Sequence, residues 1–174
     1  MDAASIAKLP PLIGMLAWQL WSLEWSLRCV LLCVEAGRDD LTVREAIDHF
    51  YNVVSGETVP VDALTSYDSL RELIEKYNGS APVPIDPSIV SLRDLLAHGR
   101  ACAQNDMVPH FSLIKFSRPK NGKMIVESRG ELTVQWLSGE VQRVNAAVDL
   151  VQTRLQEMMG PSYSQITDWS ERQT

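Results

Sequence analysis

Cysteine is scarce in this sequence, which has only Cys29, Cys33 and Cys102 among its 174 residues and no Cys-x-x-Cys pair. An odd number of cysteines without paired spacing argues against a disulfide framework and against a structural zinc site. We therefore expect three reduced thiols. Free thiols, together with the lack of an export signal, favour a cytoplasmic location.

The common motifs of nucleotide-binding and hydrolytic sites are also missing. The sequence has no glycine-rich phosphate loop, no zinc-binding His-Glu-x-x-His helix and no Gly-x-Ser-x-Gly nucleophile elbow. It has only three histidines, and Glu45-x-x-x-His49 has the wrong spacing for the ligand pair of di-iron helical bundles. We expect neither a metal nor a cofactor, and ordinary structural roles for His49 and His110.

Positive charge is in deficit, since the net charge is −6. An acidic balance counts against a broad nucleic-acid surface, because non-specific binding depends on many Lys and Arg contacts with phosphate. It leaves room for a small basic pocket, because net charge does not say where the charges lie. The basic turn formed by Arg118, Lys120 and Lys123 is most simply a solvated hairpin tip, and the alternative is an RNA-contacting arm.

One long hydrophobic run, residues 12–34, is the only candidate for a membrane span. Gln19, Glu24 and Arg28 interrupt it, and ionisable groups at membrane depth are costly. We interpret the run as a buried helix of a soluble protein and expect no association with a membrane.

Apolar periodicity predicts a mainly α fold, an up-and-down bundle of about four to five helices. An Asn-Gly turn between two β-prone runs adds a β-hairpin, at about residues 111–128, before the last long helix. The predicted organisation is a single domain over residues 1–174, with tails at 1–11 and 162–174. The helices are predicted at about 12–36, 42–54, 65–79, 87–104 and 133–159.

Local signals predict where three of these helices begin. Thr42, then Thr65 or Ser66, and then Thr133 are the expected N-caps. The last helix carries a heptad seam with these members: Leu137, Val141, Val144, Val148, Val151 and Leu155. In the tail that follows, three side chains could pack down: Tyr163, Ile166 and Trp169.

Three tryptophans, Trp18, Trp21 and Trp25, form a second apolar stripe on the first long helix. A helix that is apolar on more than one face is either central in the fold or in contact with another subunit. The sequence leaves both interpretations open.

The candidate site lies in the predicted helix 87–104, within the stretch Arg-Asp-Leu-Leu-Ala-His-Gly-Arg at 93–100. At 100° per residue, Arg93 and Arg100 lie about 20° apart beside the apolar face, and Asp94 and His98 lie about 40° apart elsewhere. A carboxylate one turn from an imidazole favours a general acid or base, and guanidinium groups suit a phosphate. Gly99 removes bulk, so that another backbone or a ligand can approach.

This stretch resembles the HEPN superfamily, whose hallmark is an arginine, a polar residue and then a histidine, written R-x4-6-H. Arg93, Asp94 and His98 stand in those places here, and the Ala97-His98-Gly99 surround is similar as well. The hairpin is a departure from the minimal helical bundle of that superfamily.

The resemblance implies a homodimer in which two such motifs face each other in one cleft. Active members are metal-independent endoribonucleases that leave a cyclic phosphate, some of them in toxin–antitoxin or phage-defence systems. By this resemblance His98 is the general acid/base, Arg93 the phosphate clamp, Asp94 the orienting residue and Arg100, beside Gly99, a second phosphate contact. RNA and an antitoxin protein are the partners it implies.

The alternative function is a non-catalytic HEPN-like module that binds a nucleotide, RNA or a protein and dimerises. In that case Arg93 pairs with an acid such as Glu24 or Glu35, and His98 is satisfied by Asp94. Cleavage of RNA in EDTA, and its loss in His98→Ala and Arg93→Ala variants that still fold, separates the two functions.

Overall fold

A computed structural model describes residues 2–37, 39–104 and 110–160 of the chain. Five helices of ten residues or more, one short helix and a three-stranded antiparallel sheet account for this part of the chain. The predicted fold class, mainly α with a hairpin before the last long helix, is therefore confirmed. In chain order the elements are α1 (Ala3–Ala7), α2 (Leu9–Glu35), α3 (Asp40–Asn52), α4 (Leu70–Ser80), α5 (Ile89–His98), β1 (Arg100–Gln104), β2 (His110–Phe116), β3 (Val126–Glu131) and α6 (Val134–Met159).

The chain divides into two compact units, one made of residues 1–21 and 86–146 and the other of residues 22–85 and 147–174. The first unit contains α1, α5 and the three strands, and the second contains α3 and α4. The long helices α2 and α6 contribute residues to both. The single-domain organisation stays a prediction.

The N-terminal residues 1–11 were predicted to be a tail, and this prediction is wrong for most of them. The side chain of Asp2 accepts a hydrogen bond of 2.8 Å from the backbone N–H of Ser5 and so caps α1. Helix α2 begins at Leu9 and includes both prolines, Pro10 and Pro11. Proline is tolerated in the first turn of a helix, where its missing N–H would have no intrahelical partner.

The predicted helix 87–104 is shorter than its periodicity indicated, because α5 ends at His98. Gly99 leaves the helix in an extended conformation while its N–H donates to the carbonyl of Leu95 at 2.8 Å. A Cβ at this glycine would collide with the same carbonyl oxygen. Residues 100–104 then pair with β2, and the hydrogen bonds of this pairing outweigh the helical pattern.

The predicted hairpin is present, and β1 extends it to a sheet in the order β1-β2-β3. At its tip, Asn121 and Gly122 both have positive φ, at 52° and 72°. Lys120 and Lys123 exchange two backbone hydrogen bonds across them. Two consecutive residues with positive φ are what a tight hairpin turn demands, which explains the Asn-Gly signal.

Helix termini and apolar faces follow the sequence pattern to within a few residues. Ser69 and Glu72 form a capping box at the start of α4, so the cap lies a few residues beyond the predicted one. Asp39 precedes α3 where Thr42 was predicted to cap it, and the Thr42 hydroxyl donates to the Asp39 carboxylate from inside the first turn. The predicted seam on α6 is confirmed except at Val141, which is only partly buried. Its other members are buried: Leu137, Val144, Val148, Val151 and Leu155.

Residues 162–174 were predicted to be a tail with three side chains that could pack down, Tyr163, Ile166 and Trp169. This prediction lies outside the described residues.

Candidate functional site

The predicted site residues lie at the end of α5 and the start of β1. Arg93, Asp94 and His98 are on α5, Gly99 is its C-cap, and Arg100 opens β1. The backbone that lies close to Gly99 is the carbonyl group of Leu95, in the preceding turn of α5. The glycine therefore sets the point at which the chain turns from helix into sheet.

Asp94 connects α5 to the sheet. Its carboxylate accepts hydrogen bonds from Arg93 at 3.1 Å and from Lys115 of β2 at 3.2 Å. Lys115 also pairs with Glu127 of β3 at 3.3 Å. Partial burial alone would raise the pKa of Asp94, but the hydrogen bonds and charges of Lys115 and Arg93 lower it below its ordinary value.

The predicted hydrogen bond between Asp94 and His98 does not form among the residues that the structure describes, although both lie on α5. His98 is exposed at the helix end and has no polar partner in the described chain. Arg93 retains 41% of its side-chain exposure despite its contact with Asp94. Its alternative acidic partners have other roles, since Glu24 pairs with Arg28 and Glu35 accepts from the backbone N–H of Ala63.

Arg100 was predicted to share a helix shoulder with Arg93, and this geometry is wrong because α5 has ended before it. Its position on β1 is directly opposite Ile114 of β2. The guanidinium lies over the ring of Phe116, 5.7 Å from the ring centroid. Arg100 thus belongs to an exposed face of the sheet.

Sequence reasoning did not connect Arg100 with Arg129. Arg129 of β3 also lies opposite Ile114, from the other side. Two strand spacings of about 4.8 Å therefore separate the two arginine backbones by about 10 Å. Arg129 is exposed and donates to the hydroxyl of Ser112 at 3.2 Å. Strand register is the feature that relates Arg129 to Arg100, and it can be assigned only once β1 is known to be a strand.

The hairpin tip adds three exposed cations to those two arginines. We call the five together the basic sheet surface, made of Arg100, Arg118, Lys120, Lys123 and Arg129. Within the described part of the chain, none of the five forms an ion pair with a carboxylate. The surface is thus a cluster of uncompensated positive charge.

Other candidate chemistry is sparse. In residues 2–37, 39–104 and 110–160, no group of three or more His, Cys, Asp or Glu side chains is arranged to hold a metal ion. His49 lies on α3 with its Nε2 3.8 Å from the carboxylate of Glu57, an exposed pair. Among the helices described, none has the length and apolar character needed to cross a membrane.

No protein-family model matches this chain, and no curated protein or solved structure does so either. The resemblance to the HEPN superfamily therefore depends on the motif residues and the helical layout alone.

Proposed function

We propose that this protein binds RNA through the basic sheet surface. The observation that carries the proposal is the set of five exposed cations on the sheet and its hairpin tip, which have no carboxylate partner among the described residues. One of them, Arg100, lies over the partly exposed ring of Phe116. Single-stranded nucleic acid is bound by positive grooves that follow the backbone and by aromatic rings on which bases stack. An exposed sheet with one ring and flanking guanidinium groups offers both.

The distribution of charge supports this proposal where the net charge argued against it. Residues 99–130 contain six Lys or Arg and two Asp or Glu, a balance of +4. Since the whole chain carries −6, the remaining residues carry −10. A polyanion is therefore attracted to the sheet and repelled elsewhere, which confines it to one surface.

Self-association is a further part of the proposal. Trp18 and Trp21 on α2 are 64% and 67% exposed, so neither is central in the fold. Trp25 packs against Phe50 and Tyr51, with ring centroids 5.1 and 5.5 Å apart. Of the two interpretations of the tryptophan stripe, contact with a second subunit is therefore the one retained for Trp18 and Trp21.

The experiment measures binding of a fluorescent single-stranded RNA by anisotropy at several salt concentrations. Five phosphate contacts give a slope of log K against log salt of about −3.5, since each contributes about −0.7 for single strands. Affinity then falls about 100-fold between 50 and 200 mM salt. Replacing Arg100 and Arg129 by Gln should reduce the slope to about −2, whereas Arg71→Gln on α4 serves as the matched control and should leave it unchanged.

Two results would count against RNA binding at this surface. One is a slope that is the same in the wild type and in the double variant. The other is an equal loss of affinity in Arg71→Gln, which would indicate a general charge effect. The oligomeric state of a Trp18→Glu, Trp21→Glu variant, measured by analytical ultracentrifugation, tests the dimer separately.

A second candidate function is metal-independent endoribonuclease activity of the HEPN type. The exposed, unpartnered imidazole of His98 favours it, because it stands two residues before the basic sheet surface begins. An exposed imidazole can exchange protons with a 2′-hydroxyl or a leaving oxygen. Arg93 and Arg100 are the guanidinium groups that would hold the scissile phosphate.

Binding is the stronger of the two candidates because Asp94 is already engaged with Lys115 and Arg93 and does not orient His98. A second subunit would have to complete the catalytic set. The test is RNA cleavage in EDTA by the wild type and by His98→Ala and Arg93→Ala, with RNA binding of each variant measured in parallel. Loss of cleavage with retained RNA binding in the two variants supports endoribonuclease activity. If the wild type leaves the RNA intact, RNA binding without cleavage is the function that remains.

Membership of the HEPN superfamily and a cytoplasmic toxin–antitoxin role belong to this same proposal. In that setting a neutralising antitoxin protein would be expected to cover the basic sheet surface and to compete with RNA. Competition in the anisotropy assay by a co-purified acidic protein would support that arrangement.

A further inference from the structure

A cavity of about 270 Å³ lies in the second unit, among α2, α4 and α6. Its apolar lining includes Val30, Val34 and Met158, and its polar lining includes Tyr77 and Arg154. At about 30 Å³ for each water-sized group, this volume corresponds to roughly nine such groups. The cavity thus suits a small organic molecule.

Tyr77 contributes a side chain, with its hydroxyl, to the lining of the cavity. Its residue is only 1% exposed, and no hydrogen bond to its hydroxyl occurs within the described residues. Burial raises the pKa of Tyr77 and the charge of Arg154 opposes that shift, so the phenol stays protonated at neutral pH and can donate.

Arg154 supplies a positive charge at the same cavity. Its Nη1 contacts Glu157 at 3.2 Å, but that carboxylate is 59% exposed whereas the arginine side chain is 24% exposed. The Nη2 and Nε groups have no partner in the described part of the chain. Glu157 solvates readily, so the guanidinium remains able to bind a ligand oxygen.

From these observations we propose that the cavity binds the carboxylate of a small amphipathic molecule. The carboxylate oxygens accept from Arg154 and from the hydroxyl of Tyr77, and the apolar tail lies against Val30, Val34 and Met158. The single negative charge of a carboxylate is balanced by one guanidinium, whereas a phosphate dianion would bring a second, unbalanced charge beside Glu157. This site is independent of RNA binding, because every residue in it belongs to the second unit.

The probe is octanoate, a straight-chain carboxylate of about the required size, titrated into the full-length protein by calorimetry. We expect saturable binding that weakens about tenfold or more in Arg154→Gln, because a charge-assisted hydrogen bond contributes about that factor. Tyr77→Phe should weaken it by a smaller factor. Octanol, which has the same chain without the charge, should bind about tenfold less tightly than octanoate.

Arg71→Gln is the matched control, since it removes an exposed arginine from α4 outside the cavity, and it should bind octanoate as the wild type does. Ala81→Leu places bulk into the cavity and should abolish binding while circular dichroism shows an intact fold. Octanol binding equal to octanoate, unchanged affinity in Arg154→Gln, or no saturable binding by the wild type would each overturn the proposal.

Discussion

Arg28 is expected to be the most costly side chain to remove from the second unit. It lies on α2 with only 12% of its side chain exposed. Its Nη1 donates to the backbone carbonyls of Ala63 and Ser66, at 3.1 and 3.0 Å, and its Nη2 donates to the carbonyl of Asp68 at 3.0 Å. Nη2 also contacts Glu24 at 3.1 Å. One guanidinium thus fixes the segment that leads into α4.

The magnitude follows from the carbonyls that lose their donor. A buried polar group left without its hydrogen bond costs about 1–3 kcal/mol. The three carbonyls give about 3–9 kcal/mol, and access of water to a segment that can relax selects the lower end. We therefore expect Arg28→Met to lower the free energy of unfolding by about 3–4 kcal/mol. The free energy of unfolding of Arg28→Lys should lie between those of the wild type and Arg28→Met. Its ammonium group keeps the charge but cannot reach the same carbonyls as the forked guanidinium.

The assay is urea denaturation followed by circular dichroism, with hydrogen exchange of residues 60–69 as the local measurement. Arg71→Met, an exposed arginine on α4, is the control and should change the free energy of unfolding by no more than about 0.5 kcal/mol. Exchange in 60–69 should accelerate in Arg28→Met and not in the control. An unfolding free energy of Arg28→Met within about 0.5 kcal/mol of the wild type would refute the reasoning.

Gly99→Ala should lower the free energy of unfolding by about 1–3 kcal/mol, because the added methyl meets a backbone carbonyl. Gly139→Ala, at an exposed position of α6, should raise the free energy of unfolding by about 0.5–1 kcal/mol, and equal effects of the two changes in urea denaturation would contradict this. The lowered pKa of Asp94 stabilises the fold at neutral pH, and this contribution is lost as pH falls through that pKa. Wild type and Asp94→Asn should therefore converge in stability in acid, and a constant difference would exclude the contact with Lys115 as its source. Of the three thiols only Cys102 is exposed, so a maleimide should label one thiol per native chain, and rapid labelling of all three would contradict the structure.

The helices could be predicted from the sequence because their signals are local. The seam through Leu137 and Val144 and the cap at Thr133, which accepts from the N–H of Trp136 at 3.1 Å, both lie within a few residues of the feature they determine. The Asn121-Gly122 turn is local in the same way. These features agree with the structure.

The end of α5 could not be predicted, because it depends on a partner distant in sequence. Residues 100–104 continue the helical spacing, and only their pairing with 110–114 makes them a strand. A sequence window cannot weigh that pairing against helix propensity. The same limit applies to Asp94, whose partner Lys115 lies 21 residues away, whereas His98 is the partner that a short sequence window contains.

The net charge of the chain is a poor guide to its partners, for the same reason. An acidic total predicts repulsion of a polyanion only if the charges are mixed over the surface. Here the excess of carboxylates lies outside residues 99–130, and the folding of that segment into one sheet concentrates its cations. Had residues 100–104 continued α5, Arg100 would have lain one helical turn beyond Leu96, away from Arg129 and Phe116. The switch from helix to strand at Gly99 therefore creates both the candidate RNA surface and the position of His98 at its edge.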